Sequence, residues 1–118
     1  MDFGERLWWL LVAHALTDYV LQPEVMAKQK DPLARRVEKV GPWWWMMGAH
    51  ALVNGGGVAL VTGQLLLGTA EALLHGGVDT IKCLMCSGGM EDVETVRLWT
   101  WIDQGVHVAS KLLWALLA

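Results

Sequence analysis

Four histidines stand in this chain of 118 residues, and each has a polar residue four positions away. The pairs are His14 with Asp18, His50 with Asn54, His75 with Asp79, and Asp103 with His107. A spacing of four puts both side chains on one helix face, one turn apart. Neutral imidazole and carboxylate are ligand types that zinc, manganese and iron accept. His14, His75 and His107 read as imidazole ligands. Asp18, His50, Asp79 and Asp103 read as further ligands or a general base, with the three aspartates as the catalytic candidates. Asn54 can bind through its amide oxygen. The chemistry such a set offers is metal-assisted hydrolysis, in which a divalent ion turns bound water into a nucleophile. Zinc is the first choice, with manganese or iron behind it. The competing use of the same residues is a buried hydrogen-bond network that joins helices without metal.

Each pair falls in a separate apolar stretch: about Leu7–Leu21, Trp43–Val61, Leu65–Leu84 and Val96–Leu117. The composition is 54% hydrophobic and 18% charged. That excludes a disordered chain, and its charge content lies below the roughly 25% of soluble domains. A bilayer core about 30 Å thick needs a helix of about 20 residues. Leu10–Ala13 and Val58–Val61 each cover more than half a helix circumference with apolar side chains. A soluble bundle would show a broad charged face there. The expected fold is therefore an all-α integral membrane four-helix bundle, antiparallel and up-down-up-down. It forms one domain over 1–118, with spans near 5–22, 43–62, 65–84 and 95–117 and a cytoplasmic loop near 23–41. Ionisable groups inside a span cost ~2.5–3.5 kcal/mol each on insertion scales, so these should turn inward. Antiparallel stacking predicts two levels. His14, Asn54, His75 and His107 lie nearer the termini, and Asp18, His50, Asp79 and Asp103 lie about 5–6 Å nearer the loop.

Eight tryptophans against one Phe and one Tyr suit two interfacial belts. Trp8, Trp9 and Trp114 would make one, and Trp43–Trp45, Trp99 and Trp101 the other. Basic residues set the orientation. Lys28, Lys30, Arg35, Arg36 and Lys39, with Lys82 and Arg97, fall on one side, against Arg6 and Lys111 on the other. Both termini are accordingly expected outside the cytoplasm. Asp2 and Glu5 beside Arg6 make a poor leader, so no cleavable signal is expected. The Gln22–Gly41 loop, which also carries Glu24, Asp31 and Glu38, has room for a short amphipathic helix. The Ser87–Glu94 connection is acidic and contains Gly88 and Gly89. A net charge of -3 argues against nucleic acid. Lys82 and Lys111 are expected to snorkel, and Glu71 to lie on the polar face or at its rim. Cys83 and Cys86 are expected as two reduced thiols, and Gly55–Gly57 and Gly76–Gly77 as sites of close helix approach.

The chain also resembles a family known as domain of unknown function 3307. The resemblance is carried by Ala13-His14-Ala15-Leu16-Thr17-Asp18-Tyr19-Val20-Leu21-Gln22-Pro23, His50-Ala51-Leu52-Val53-Asn54, His75-Gly76-Gly77-Val78-Asp79-Thr80-Ile81-Lys82 and Asp103-Gln104-Gly105-Val106-His107. It implies a small bacterial or phage membrane protein and an architecture, but no activity. The family's second motif usually ends in His where this chain has Asn54. More distantly, the pattern is similar to membrane-bound metal-dependent hydrolases. Three functions follow as expectations: a membrane-embedded metalloprotein acting as a hydrolase at the bilayer, a transporter of protons or divalent ions, and a non-enzymatic membrane factor whose polar cluster is structural. A bilayer partner suits all three, and a homo-oligomer is compatible with each.

Overall fold

A computed structural model describes residues 1–33, 41–86 and 92–118. Arg35, Arg36, Glu38 and Lys39 of the basic loop, and Ser87, Gly88, Gly89 and Glu91 of the acidic connection, lie outside the described residues. Every regular element described is helical. Helix α1 covers Phe3–Ala15 and widens into a π-helical turn over Leu16–Val20. The short α2 covers Glu24–Gln29, within the loop expected from the sequence. Helices α3 (Trp43–Thr62), α4 (Leu65–Met85) and α5 (Val93–Leu117) complete the chain.

Local chemistry sets the helix ends. Asp2 opens α1 with a capping box: its carboxylate accepts the Glu5 N–H at 2.8 Å, and the Glu5 carboxylate accepts the Asp2 N–H at 3.2 Å. Pro42 precedes α3 in extended geometry. Gly63 ends α3 with φ +69°, the left-handed conformation that glycine adopts without a Cβ penalty. Asp92 caps α5 by accepting the Thr95 N–H at 2.8 Å, and this bond holds its carboxyl below the usual range.

Residue pairs across the helices give the topology. Ala13 faces Gly57, Thr17 faces Asn54 and Asp18 faces His50, so α1 and α3 are antiparallel. Ala51 meets Gly76, and Gly55 meets Gly68, which makes α3 and α4 antiparallel. His75 lies on His107 and Lys82 near Asp103, pairing α4 antiparallel with α5. Arg6 donates to the Ala115 carbonyl at 3.0 Å and His14 meets Gln104, closing α5 onto α1. The result is a four-membered ring of antiparallel helices. Its tightest seam is α3 against α4. A Cβ on Gly55 would stand 2.4 Å from the Gly68 carbonyl oxygen and 2.8 Å from the Ala72 Cβ. Small residues are what permit that approach.

Polarity is inverted across the bundle. An apolar cluster of Leu10, Val58, Leu67, Trp114 and Ala115 fills the end nearer the termini. Beyond it the interior is polar: His50, Glu71, His75 and His107 are each 0% exposed. The outer surface carries Leu60 at 87% exposure and Leu65 and Leu66 at 79%. Even so, among the described residues no helix is long and apolar enough to cross a membrane. The spanning segments expected from the sequence are therefore not supplied by the structure. The physical reason is visible in α4, which commits successive inner turns to Glu71, His75 and Asp79 and carries the half-buried Lys82 beside them. Trp8, Trp9, Trp44, Trp45 and Trp101 are exposed, whereas Trp114, expected in a belt, is buried. Lys111, expected to snorkel, is 1% exposed. Cys83 and Cys86 are buried, and no disulfide joins them.

Candidate metal centre

The π-helical turn is where the site begins. The Leu21 N–H bonds back to the Leu16 carbonyl at 2.7 Å, one residue further than an α-helix reaches. The widened turn buries two consecutive residues, Thr17 and Asp18. Thr17 Oγ1 lies 2.7 Å from Asn54 Oδ1 and 2.9 Å from the Ala13 carbonyl, which compete for its one proton. Asn54 in turn donates from Nδ2 to the His50 carbonyl at 3.0 Å. Asn54 thus ties α1 to α3 through its amide.

Asp18 occupies the middle of the cluster. Its Oδ1 lies 3.1 Å from His50 Nε2 and 3.4 Å from His75 Nε2. The two Nε2 atoms are 3.0 Å apart. Its Oδ2 accepts the Gln104 amide at 2.9 Å, and Gln104 also donates to Asp103 Oδ2 at 3.0 Å. Asp103 Oδ1 is 3.1 Å from His107 Nε2. The His107 and His75 rings stack with centroids 4.0 Å apart. His14 Nε2 meets Gln104 Oε1 at 3.2 Å and stands 3.8 Å from Asp18 Oδ2. Asp79 Oδ2 is 3.4 Å from His50 Nε2 and also holds the ammonium of Lys30, which reaches in from the end of α2.

A second layer supports the first. Glu71 Oε1 lies 3.5 Å from His75 Nδ1. Glu71 is itself held by Lys111, by the Trp114 indole N–H and by Ser110 at 3.1 Å. Lys82 stands 3.5 Å from Asp103 Oδ2 and 4.0 Å from Asp79 Oδ1. The interior therefore holds four carboxylates (Asp18, Glu71, Asp79, Asp103) against three ammonium groups (Lys30, Lys82, Lys111). With neutral imidazoles the described cluster carries one net negative charge.

Three groups of ligand atoms lie within 4.8 Å of one another: Asp18 with His50 and His75, Asp18 with Asp103 and His107, and Glu71 with His75 and His107. The first is the tightest, with edges of 3.0 to 3.4 Å. Tetrahedral bonds of about 2.0–2.1 Å place ligand atoms about 3.3–3.4 Å apart, so the triangle matches a zinc-sized ion. The donor chemistry fits as well. Two imidazole nitrogens and a carboxylate oxygen converge, and one imidazole proton cannot serve all three edges. On the outer side of the rings, Nδ1 of all four histidines is buried without a hydrogen-bond partner among the described residues.

His14 and Asn54 stand outside these groups, His14 on Gln104 and Asn54 on Thr17. Asp79 reaches His50 but is also taken by Lys30. The two-level arrangement is replaced by interleaving, because His50 of the loop-side level touches His75 of the other. An imidazole extends far enough from its backbone to cross the one-turn offset, 5.4 Å in an ideal helix. The sequence did not assign Lys30, Ser110 or Trp114 to the centre, and placed Glu71, Gln104 and Lys111 only at its margins. One signal was available: the four-residue ladders continue as Glu71–His75–Asp79 and Asp103–His107–Lys111.

The fold and centre together define a class: an all-helical antiparallel bundle with histidines and carboxylates buried at metal-binding distances. A family model described as "Protein of unknown function (DUF3307)" matches residues 7–117, and the chain belongs to that family. No curated protein and no solved structure matches. The more distant similarity to metal-dependent hydrolases gains no support from these comparisons.

Proposed function

We propose that this protein binds a divalent transition metal between Asp18, His50 and His75, inside a bundle seated in a lipid bilayer with both termini outside the cytoplasm. The observation that carries the metal reading is the 3.0–3.4 Å triangle of Asp18 Oδ1 and the two Nε2 atoms. Two imidazoles and one carboxylate favour zinc. Glu71, 3.5 Å behind His75 Nδ1, stands where a carboxylate can orient a ligating imidazole and raise its basicity once the two close to a hydrogen bond. The bilayer reading is supported by the inverted polarity. A surface that presents Leu60, Leu65, Leu66 and Leu73 while burying four histidines is matched to hydrocarbon rather than to water.

A bound divalent ion of this kind supplies a nucleophile from water and polarises an ester or phosphoryl oxygen, which makes a hydrolase at the bilayer the activity that fits. This chain's own contribution is proton handling and access. Asp103, next to His107 and Lys82, lines an apolar cavity of about 180 Å³ between α4 and α5. From there it can accept a proton from a group held against Ile102 and Val106. The test is metal analysis by mass spectrometry of detergent-purified protein. At least one zinc per chain is expected, and His50→Ala and His75→Ala should each bind one zinc fewer than wild type. Wild-type protein that stays metal-free after dialysis against zinc overturns the reading.

A second reading, proton transfer across the bundle, is favoured by one observation. Lys30, Asp79, His50, His75, Glu71 and Lys111 form an unbroken buried chain with contacts of 3.5 Å or less. Proteoliposomes carrying wild-type protein would then dissipate a pH gradient, and Asp79→Asn would stop it. A tight gradient with folded wild-type protein removes that reading.

A further inference from the structure

Building on the metal reading above, we infer that Asp18 bridges two metal positions, the second formed with Asp103 and His107. The two oxygens of Asp18 face different ligand sets. Oδ1 faces His50 and His75, from α3 and α4. Oδ2 faces Gln104 and His14, and across the Gln104 amide lies Asp103, whose other oxygen meets His107. Asp18, Asp103 and His107 offer three atoms within 4.8 Å of one another. A carboxylate shared in this way sets two cations about 3.5–4 Å apart, the spacing of two-metal sites.

The backbone is shaped for that role. Asp18 lies at the centre of the π-helical turn, which is itself a departure from regular geometry of the kind that concentrates at functional sites. Electrostatics points the same way. Asp18 Oδ2 and Asp103 Oδ2 are held together by one neutral amide, with Lys82 at 3.5 Å from Asp103 as the nearby cation. Two carboxylates so close in a low-dielectric interior call for positive charge between them. The Gln104 amide nitrogen stands between these two carboxylates, 2.9 Å from Asp18 Oδ2 and 3.0 Å from Asp103 Oδ2, and an entering ion would turn it to present its oxygen instead.

The two positions differ in hardness. The first has two imidazoles and a carboxylate and suits zinc; the second has two carboxylates and an imidazole and suits manganese or iron. One net negative charge in the cluster is less than two divalent ions bring, so full loading draws in an anion. The cavity of about 180 Å³ that Asp103 and Lys82 line gives it room.

The test titrates chelator-stripped, detergent-solubilised full-length protein with Mn²⁺ alone and with Zn²⁺ alone. Stoichiometry is read by calorimetry and mass spectrometry, and coupling by electron paramagnetic resonance. Wild-type protein is expected to take two ions per chain and to give an exchange-coupled Mn²⁺ pair signal. His107→Ala and His50→Ala should each retain one ion with an uncoupled signal, and Asp18→Asn should lose the coupling. The wild-type stoichiometry and signal need no variant, so a substitution that fails to fold leaves the test intact. A single ion per wild-type chain that His50→Ala removes and His107→Ala leaves in place overturns the bridge while keeping the metal reading. No bound ion at all overturns both.

Discussion

Lys111→Met isolates the energetics of the buried second layer. Lys111 is 1% exposed and its ammonium contacts Glu71, which is 0% exposed. Among the described residues, removing the lysine leaves a carboxylate with no ammonium partner, supported by Ser110, Trp114 and the distant edge of His75. Breaking a buried pair from one side costs about 3–5 kcal/mol, because the remaining charge stays desolvated. Two neutral donors still reach Glu71, so the lower end applies, about 3 kcal/mol. For a domain of this size 1 kcal/mol moves the melting temperature by roughly 4 °C, so a fall of roughly 12 °C is expected. Adding Glu71→Gln removes the stranded charge, and the double variant should regain at least half of that loss. The assay is thermal unfolding of purified protein in detergent, followed by circular dichroism, with wild type, both singles and the double in one series. A single variant melting within about 2 °C of wild type, or a double variant whose loss equals the sum of the singles, refutes the buried-pair argument.

Four further outcomes are expected. Gly55→Ala should destabilise by at least about 1–3 kcal/mol because its Cβ would meet the Gly68 carbonyl. Gly56→Ala, with nothing within 4 Å, should be neutral or stabilising in the same denaturation series. Thr17→Val should cost about 1–3 kcal/mol by leaving the buried Asn54 oxygen without its donor, and a shift no larger than that of an exposed Thr69→Val control would contradict this. Brominated-chain lipids should quench the fluorescence of single-Trp variants retaining Trp101 or Trp44 but spare one retaining Trp114. Equal quenching at all three would count against the proposed orientation in lipid.

Much of the centre was legible before any tertiary structure. The four-residue spacings of His14–Asp18, His75–Asp79 and Asp103–His107 are properties of helix geometry, which is local, so their shared faces follow from the sequence alone. The same locality makes the helix ends readable: Asp2 with Glu5, Pro42, Gly63 and Asp92 act on neighbours within a turn. Helical class and an inward polar stripe were within reach for that reason.

What only the tertiary structure decided depends on the rotation and depth of one helix against another. Spacing treats Asp18 as one carboxylate among three, yet the π-helical turn makes it the hub shared by two ligand groups. Spacing places His14 and Asn54 with the ligands, yet Gln104 and Thr17 engage them from other helices. Lys30, Lys111 and Trp114 look like surface residues because charge and indole rings ordinarily seek water or an interface. Here buried carboxylates on α4 compete successfully for their donors. A one-dimensional pattern records which side chains share a helix face, but not which partner waits opposite, and it is the partner that turns a polar stripe into a site.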